Sequence, residues 1–134
     1  HASYPQVTND NLPASLSKNI VTDLLIKELN FNGIVITDAV NMGAIASNYN
    51  EVDTYTKAIN AGVNMFIMPN GAKRVIDLIE NEVKKGNIDE SKIDESVRRI
   101  LTVKKKRNLN NQTKNNFGLI ENKKFICNYF SDYC

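Results

Sequence analysis

Four apolar or β-branched residues, Ile34, Val35, Ile36 and Thr37, run into one acid, Asp38, and then into an apolar stretch opened by Gly43. A run without polar alternation reads as a strand buried on both faces, and in parallel α/β folds chemistry gathers at the carboxyl ends of strands. Position alone leaves several uses for Asp38 open. Its carboxylate can cap the turn that follows, a common fate of Asp after a strand. A phosphoacceptor role would need further acids to hold Mg²⁺ and a Lys after a later strand, and no acid pair follows another strand here. A phosphatase-type Asp-x-Asp loop fails because position 40 is Val. A retaining glycosidase needs an ionised carboxylate held below an anomeric carbon and a separate acid for the leaving oxygen, and a strand-end Asp meets the positional half of that demand.

Few other residues offer chemistry. The only cysteines, Cys127 and Cys134, lie in a polar tail, so a disulfide scaffold is excluded and a zinc site would have two soft ligands with no histidine nearby. No metal or cofactor is expected. Seventeen Lys and Arg against fifteen Asp and Glu leave a net charge of +2. The basic residues mix with acids except at Lys104 to Arg107, which reads as a solvated helix end, so neither a nucleic acid nor an anionic membrane is an expected partner. No apolar run is long enough to suggest a bilayer span. Asn111-Gln112-Thr113 matches a glycosylation sequon, a triplet that also arises by chance. The compartment stays open.

The elements that must position Asp38 are legible from spacing. Ser17 reads as the N-cap of a helix over about 18–29, with Ile20, Val21, Leu24, Leu25 and Leu29 forming its apolar stripe. Asn32-Gly33 marks a turn into the strand at 34–37. A loop and short turn through Ser47 to Asn50 leads to a helix over 51–61 ended by Gly62, then a second buried strand from Val63 to Met68 closed by Pro69-Asn70-Gly71. Helices over 72–85, with Gly86 as C-cap, and 90–106, capped by Asp89, complete the pattern. Residues 108–134 read as a polar tail or linker with a weak element near Phe125 to Phe130. The Ile-Asp-Glu-Ser doublet at 88–91 and 93–96 is too short for a structural repeat. His1-Ala2-Ser3-Tyr4-Pro5 reads as a strand exit. Strands alternating with helices predict βαβ units and a parallel sheet. Two strands cannot close a barrel, whose full set takes about 250 residues, so the expectation is a piece of something larger.

Three stretches resemble the β-N-acetylhexosaminidases of glycoside hydrolase family 3: Pro13 to Ser17 with Leu24 to Ile45, Ala61-Gly62-Val63-Asn64 through Met68-Pro69, and Ile93 to Leu101 followed by Lys104. The resemblance runs through residues 1–107 in order. It implies an α/β fold that is the C-terminal part of a (β/α)₈ barrel: the end of the sixth strand, then the seventh and eighth with their helices. It also implies that Asp38, in Thr-Asp-Ala, is the nucleophile, that His1 lies where the sixth strand faces the sugar, and that Met42 lines the sugar pocket. Thr-Asp-Ala, where the β-glucosidase branch usually has Ser-Asp-Trp, favours the hexosaminidase branch. The family's acid/base, a His in a Lys-His-Phe-Pro-Gly-His-Gly type loop, has no counterpart here. The implied activity is therefore that of a retaining exo-β-N-acetylglucosaminidase acting on cell-wall or chitin-type sugars, with this piece inactive alone. A β-glucosidase-type member is the alternative. A non-catalytic module that self-associates through exposed sheet edges is the reading from another class.

Overall fold

In the computed structural model, which describes residues 1–8, 10–107 and 109, strands β1 (Ile36–Ala39) and β2 (Met65–Ile67) pair in parallel. Between them run helices α2 (Gly43–Ala46) and α3 (Glu51–Ala61), so the expected βαβ unit is present. Helices α4 (Ala72–Lys84) and α5 (Glu90–Lys106) follow β2. Ahead of β1 lie α1 (Pro5–Thr8), a 3₁₀ turn at Ala14–Leu16 and a ten-residue π-helix at Asn19–Glu28. The readings of 108 and 110–134, including Cys127, Cys134, the sequon and the element near Phe125, fall outside the described residues.

The caps explain why the helices stop where the sequence says they should. Asn50 Oδ1 accepts from Asp53 N–H at 2.8 Å at the start of α3, and Asp89 Oδ1 accepts from Ser91 N–H at 2.9 Å at the start of α5. Gly62 ends α3 at φ 106°. A Cβ there would sit 3.1 Å from Thr22 Oγ1 and 3.2 Å from Ile26 Cδ1, so glycine serves both the left-handed turn and the approach of the π-helix. That approach is sealed by the Thr22 hydroxyl, which donates to the Ala61 carbonyl at 2.7 Å.

Two apolar clusters share the interior. Leu16, Val21, Ile45, Ala58, Ala61 and Val63 join the π-helix, α2 and α3, while Val40, Tyr55 and Val75 join the end of β1 to α3 and α4. Phe66 of β2 packs against both and meets the Tyr55 ring edge-on, with centroids 4.9 Å apart. Helix α5 clamps the entries to both strands. Arg99 Nη1 donates to the Gly33 carbonyl at 3.0 Å. Asn64 accepts from Val35 N–H and donates to Ser96 Oγ, both at 2.9 Å.

Four expectations change. The first strand begins two residues later than 34 and is not buried on both faces: Thr37 is buried, but Ile36 is 51% exposed, as are Met65 at 40% and Ile67 at 45% in β2. Helices cover the side carrying Thr37 and Phe66, and among the described residues nothing covers the other side of the two-stranded sheet. The helix after Ser17 is a π-helix, with Leu29 N–H reaching back five residues to Leu24 O. Apolar spacing over ten residues separates helix from strand but not one helical pitch from another. Ser17 still acts at its start, its buried hydroxyl accepting from Ile20 N–H at 3.4 Å. The expected turn at 47–50 follows a short helix. His1 itself is in no strand; the neighbouring Ser3 makes a single antiparallel bridge to Pro13.

Glu82 has no signal in the sequence. Inside α4 it is buried, and its carboxylate accepts from Lys85 Nζ at 2.8 Å and Asn87 Nδ2 at 2.6 Å, tying down the turn into α5. The Lys85 contact first and then Asn87 hold its carboxyl below the ordinary glutamate value of 4.5. The folded state therefore favours the ionised form. Its contribution is complete above the ordinary value and is lost as pH falls through the lower folded one. Thermal melts across acidic pH should show the chain losing stability in that window, with a shallower loss in Glu82→Gln. Parallel acid limbs in the two proteins would refute this assignment.

Candidate active site at the end of β1

Asp38 sits at the carboxyl end of β1 with its side chain exposed. Its Oδ1 accepts from the N–H of the next residue, Ala39, at 2.7 Å. The Ala39 carbonyl in turn accepts from His1 Nε2 at 3.0 Å and from Met42 N–H at 3.2 Å. One residue, Ala39, thus joins through its N–H and its carbonyl the three residues singled out in the sequence, although 38 positions separate His1 from Ala39.

A carbonyl can only accept, so His1 Nε2 carries the proton. In the neutral ring Nδ1 then accepts from the Ser15 hydroxyl, 2.7 Å away. Ser15 lies on the 3₁₀ turn, and Ala14 N–H donates to the Ala2 carbonyl at 2.8 Å, which pins the first residues beside that turn. Asp10 organises the same loop, accepting from the Ser17 hydroxyl at 2.8 Å and from Leu12 N–H. Burial pushes the Asp10 carboxyl upward, but the hydrogen bonds of Ser17, Thr8 and Leu12 outweigh it and leave the group below its usual range. Met42 is 42% exposed and opens α2 in an extended conformation.

Sequence reasoning treated Ser15, Thr37 and Ala39 only as parts of motifs. Ser15 carries no local signal, because its partner arrives from another part of the chain. Thr37 does carry one: a hydroxyl amino acid at a buried strand position needs a partner. It accepts from Ile67 N–H of β2 at 3.3 Å.

A cavity of about 280 Å³ lies on the helix side, lined by Val40, Tyr49, Glu51, Tyr55, Asn70 and Arg74 among others. Asp38, His1 and Met42 do not line it. Burial pushes the Tyr55 phenol above its usual range. Among the described residues no group of three or more His, Cys, Asp or Glu is placed to hold a metal ion, and no helix is long and apolar enough to cross a membrane.

Residues 1–103 match the glycosyl hydrolase family 3 N terminal domain. The chain belongs to this family. Beta-hexosaminidase A of Pseudoalteromonas piscicida is 27% identical over 125 residues, covering 79% of this chain and 21% of that protein. The probable beta-glucosidase C of Aspergillus flavus is 36% identical over 103 residues, covering 67% of this chain and 16% of its own length. Among solved structures, the family 3 beta-N-acetylglucosaminidase of Paenibacillus superposes with a TM-score of 0.73 at 31% identity, covering 88% of this chain and 23% of that one. The chain therefore spans about a fifth of the length of these relatives. Its α/β fold is that of the family's N-terminal domain, and the family's hexosaminidases and β-glucosidases are both among its relatives.

Proposed function

We propose that this chain supplies the nucleophilic carboxylate of a retaining exo-β-N-acetylglucosaminidase that removes terminal N-acetylhexosamine from cell-wall or chitin-type glycans. One observation carries the reading: in a family 3 chain, the strand-end Asp38 is exposed, has one oxygen tied to the N–H of Ala39, and meets on that residue the hydrogen bonds that its carbonyl takes from His1 and Met42. Asp38 attacks the anomeric carbon as the leaving oxygen takes a proton, forming a glycosyl ester. Water then cleaves that ester and gives up a proton to the same acid/base. A His would perform that exchange well, since its ordinary pKa of about 6.5 lets it give and take a proton near neutrality. No residue of this chain is assigned that step. Met42 lines the sugar pocket in this reading, and His1 stands at its edge.

In the same reading β1 and β2 are the seventh and eighth strands of a (β/α)₈ barrel and the first residues are the exit of the sixth. The uncovered face of Ile36, Met65 and Ile67 is then the side turned to the missing strands. That face also supports the second reading, a module that pairs with another chain.

The test uses the purified chain and a longer protein in which the preceding barrel is joined to it. The longer protein should release the aryl group from an aryl N-acetyl-β-glucosaminide faster than from the matching glucoside. A fluorinated glycosyl fluoride that slows ester hydrolysis should label Asp38, seen by peptide mass. The chain alone should release nothing. Labelling at another carboxylate sinks the assignment of Asp38, and preference for the glucoside sinks that of the sugar. Light scattering decides the second reading: a stable monomer counts against self-association.

A further inference from the structure

The two strands slip register at Asp38. Ile36 pairs with Met65 and Ala39 with Ile67, so three steps along β1 match two along β2, a β-bulge. Met65 N–H donates to the Val35 carbonyl, and in unbroken register Ala39 N–H would go to the Ile67 carbonyl. Val40 N–H takes that carbonyl instead, at 3.1 Å. The freed Ala39 N–H turns back onto Asp38 Oδ1. The slip is what gives the carboxylate its backbone donor.

Two side chains hold the slipped backbone from opposite sides. The Thr37 hydroxyl, in a residue only 4% exposed in all, accepts from Ile67 N–H across the sheet. His1, itself braced by Ser15, donates to the carbonyl of the Ala39–Val40 peptide, whose N–H takes the Ile67 carbonyl, and so holds the slipped peptide directly after the one whose N–H meets Asp38. Bulges commonly re-aim a side chain at a strand end.

The geometry points to the Thr37–Ala39 bulge as a positioning device for the Asp38 carboxylate, with Thr37 and His1 as the positioning residues that latch it. This rests on the reading of Asp38 as nucleophile: the device holds one oxygen and the rotamer of a group that must meet an anomeric carbon. His1 then acts through Ala39, with both ring nitrogens engaged by the protein.

Heteronuclear NMR of the full 134-residue chain tests it. The Ala39 amide should exchange slowly with solvent and its resonance should move as Asp38 is protonated, a response that Asp38→Asn abolishes. Thr37→Val replaces the hydroxyl by a methyl group at nearly constant volume; it should lose the slow exchange and the response, and Thr37→Ser should restore both. His1→Phe should lose them and His1→Gln, which keeps an N–H donor, should restore them. If Thr37→Val unfolds, the His1 pair decides. An Ala39 amide that is silent in the unaltered chain, or unchanged in Thr37→Val and His1→Phe, overturns the proposal. The labelling experiment separates the two claims: Asp38 labelled with Ala39 silent removes the device alone, and an Ala39 response with the label elsewhere removes the nucleophile reading.

Discussion

Asp38→Asn is expected to slow hydrolysis of an aryl N-acetyl-β-glucosaminide by roughly 10⁴–10⁶-fold in the longer protein, the scale seen when a nucleophile is removed. The substitution is nearly isosteric, and the amide oxygen can still accept from Ala39 N–H, so the local turn should survive. What it loses is the negative charge and the lone pair that forms the glycosyl ester. Initial rates with a thermal melt as control make the measurement. An Asn variant within about tenfold of the parent, which is only about 1.4 kcal/mol of barrier, would show that Asp38 caps its turn and does no more.

Tyr55→Ala should be the most damaging single truncation of the fold. Tyr55 is 1% exposed and sits where the end of β1, the middle of α3 and the start of α4 meet, touching Phe66 edge-on and packing with Val40 and Val75. Removing a buried aromatic ring costs about 3–5 kcal/mol through lost transfer energy and the hole left behind. A domain of ordinary stability has about 5–15 kcal/mol in total, and among the described residues nothing covers one face of this sheet. Urea unfolding followed by circular dichroism should therefore show a variant largely unfolded in mild denaturant. A midpoint equal to that of the unaltered chain would mean that the second cluster contributes little.

The helices were legible because their signals are local. The 51–61, 72–85 and 90–106 readings land within a residue of α3, α4 and α5, since the caps Asn50 and Asp89 and the glycines Gly62 and Gly86 act on their own neighbours. The strands were legible in kind but not in exposure, because whether an apolar side chain is covered depends on what lies across the sheet. Glu82 shows the same limit in reverse. As an acid on a helix it reads as solvated, and only the meeting of Lys85 and Asn87 at its carboxylate makes its burial tolerable.

By itself the sequence determined that a lone carboxylate would stand at a strand end in a βαβ unit, and its motifs pointed to the family that the chain proved to share. Periodicity, caps and turn residues suffice for that, since each works over a few positions. Only the tertiary structure decided how Asp38 is held. The register slip between β1 and β2, the Thr37 hydroxyl spanning to Ile67 and the reach of His1 from the far end of the chain are contacts between segments remote in sequence. Their geometry is set by packing the π-helix and α3 beneath the sheet, which no short stretch of residues encodes.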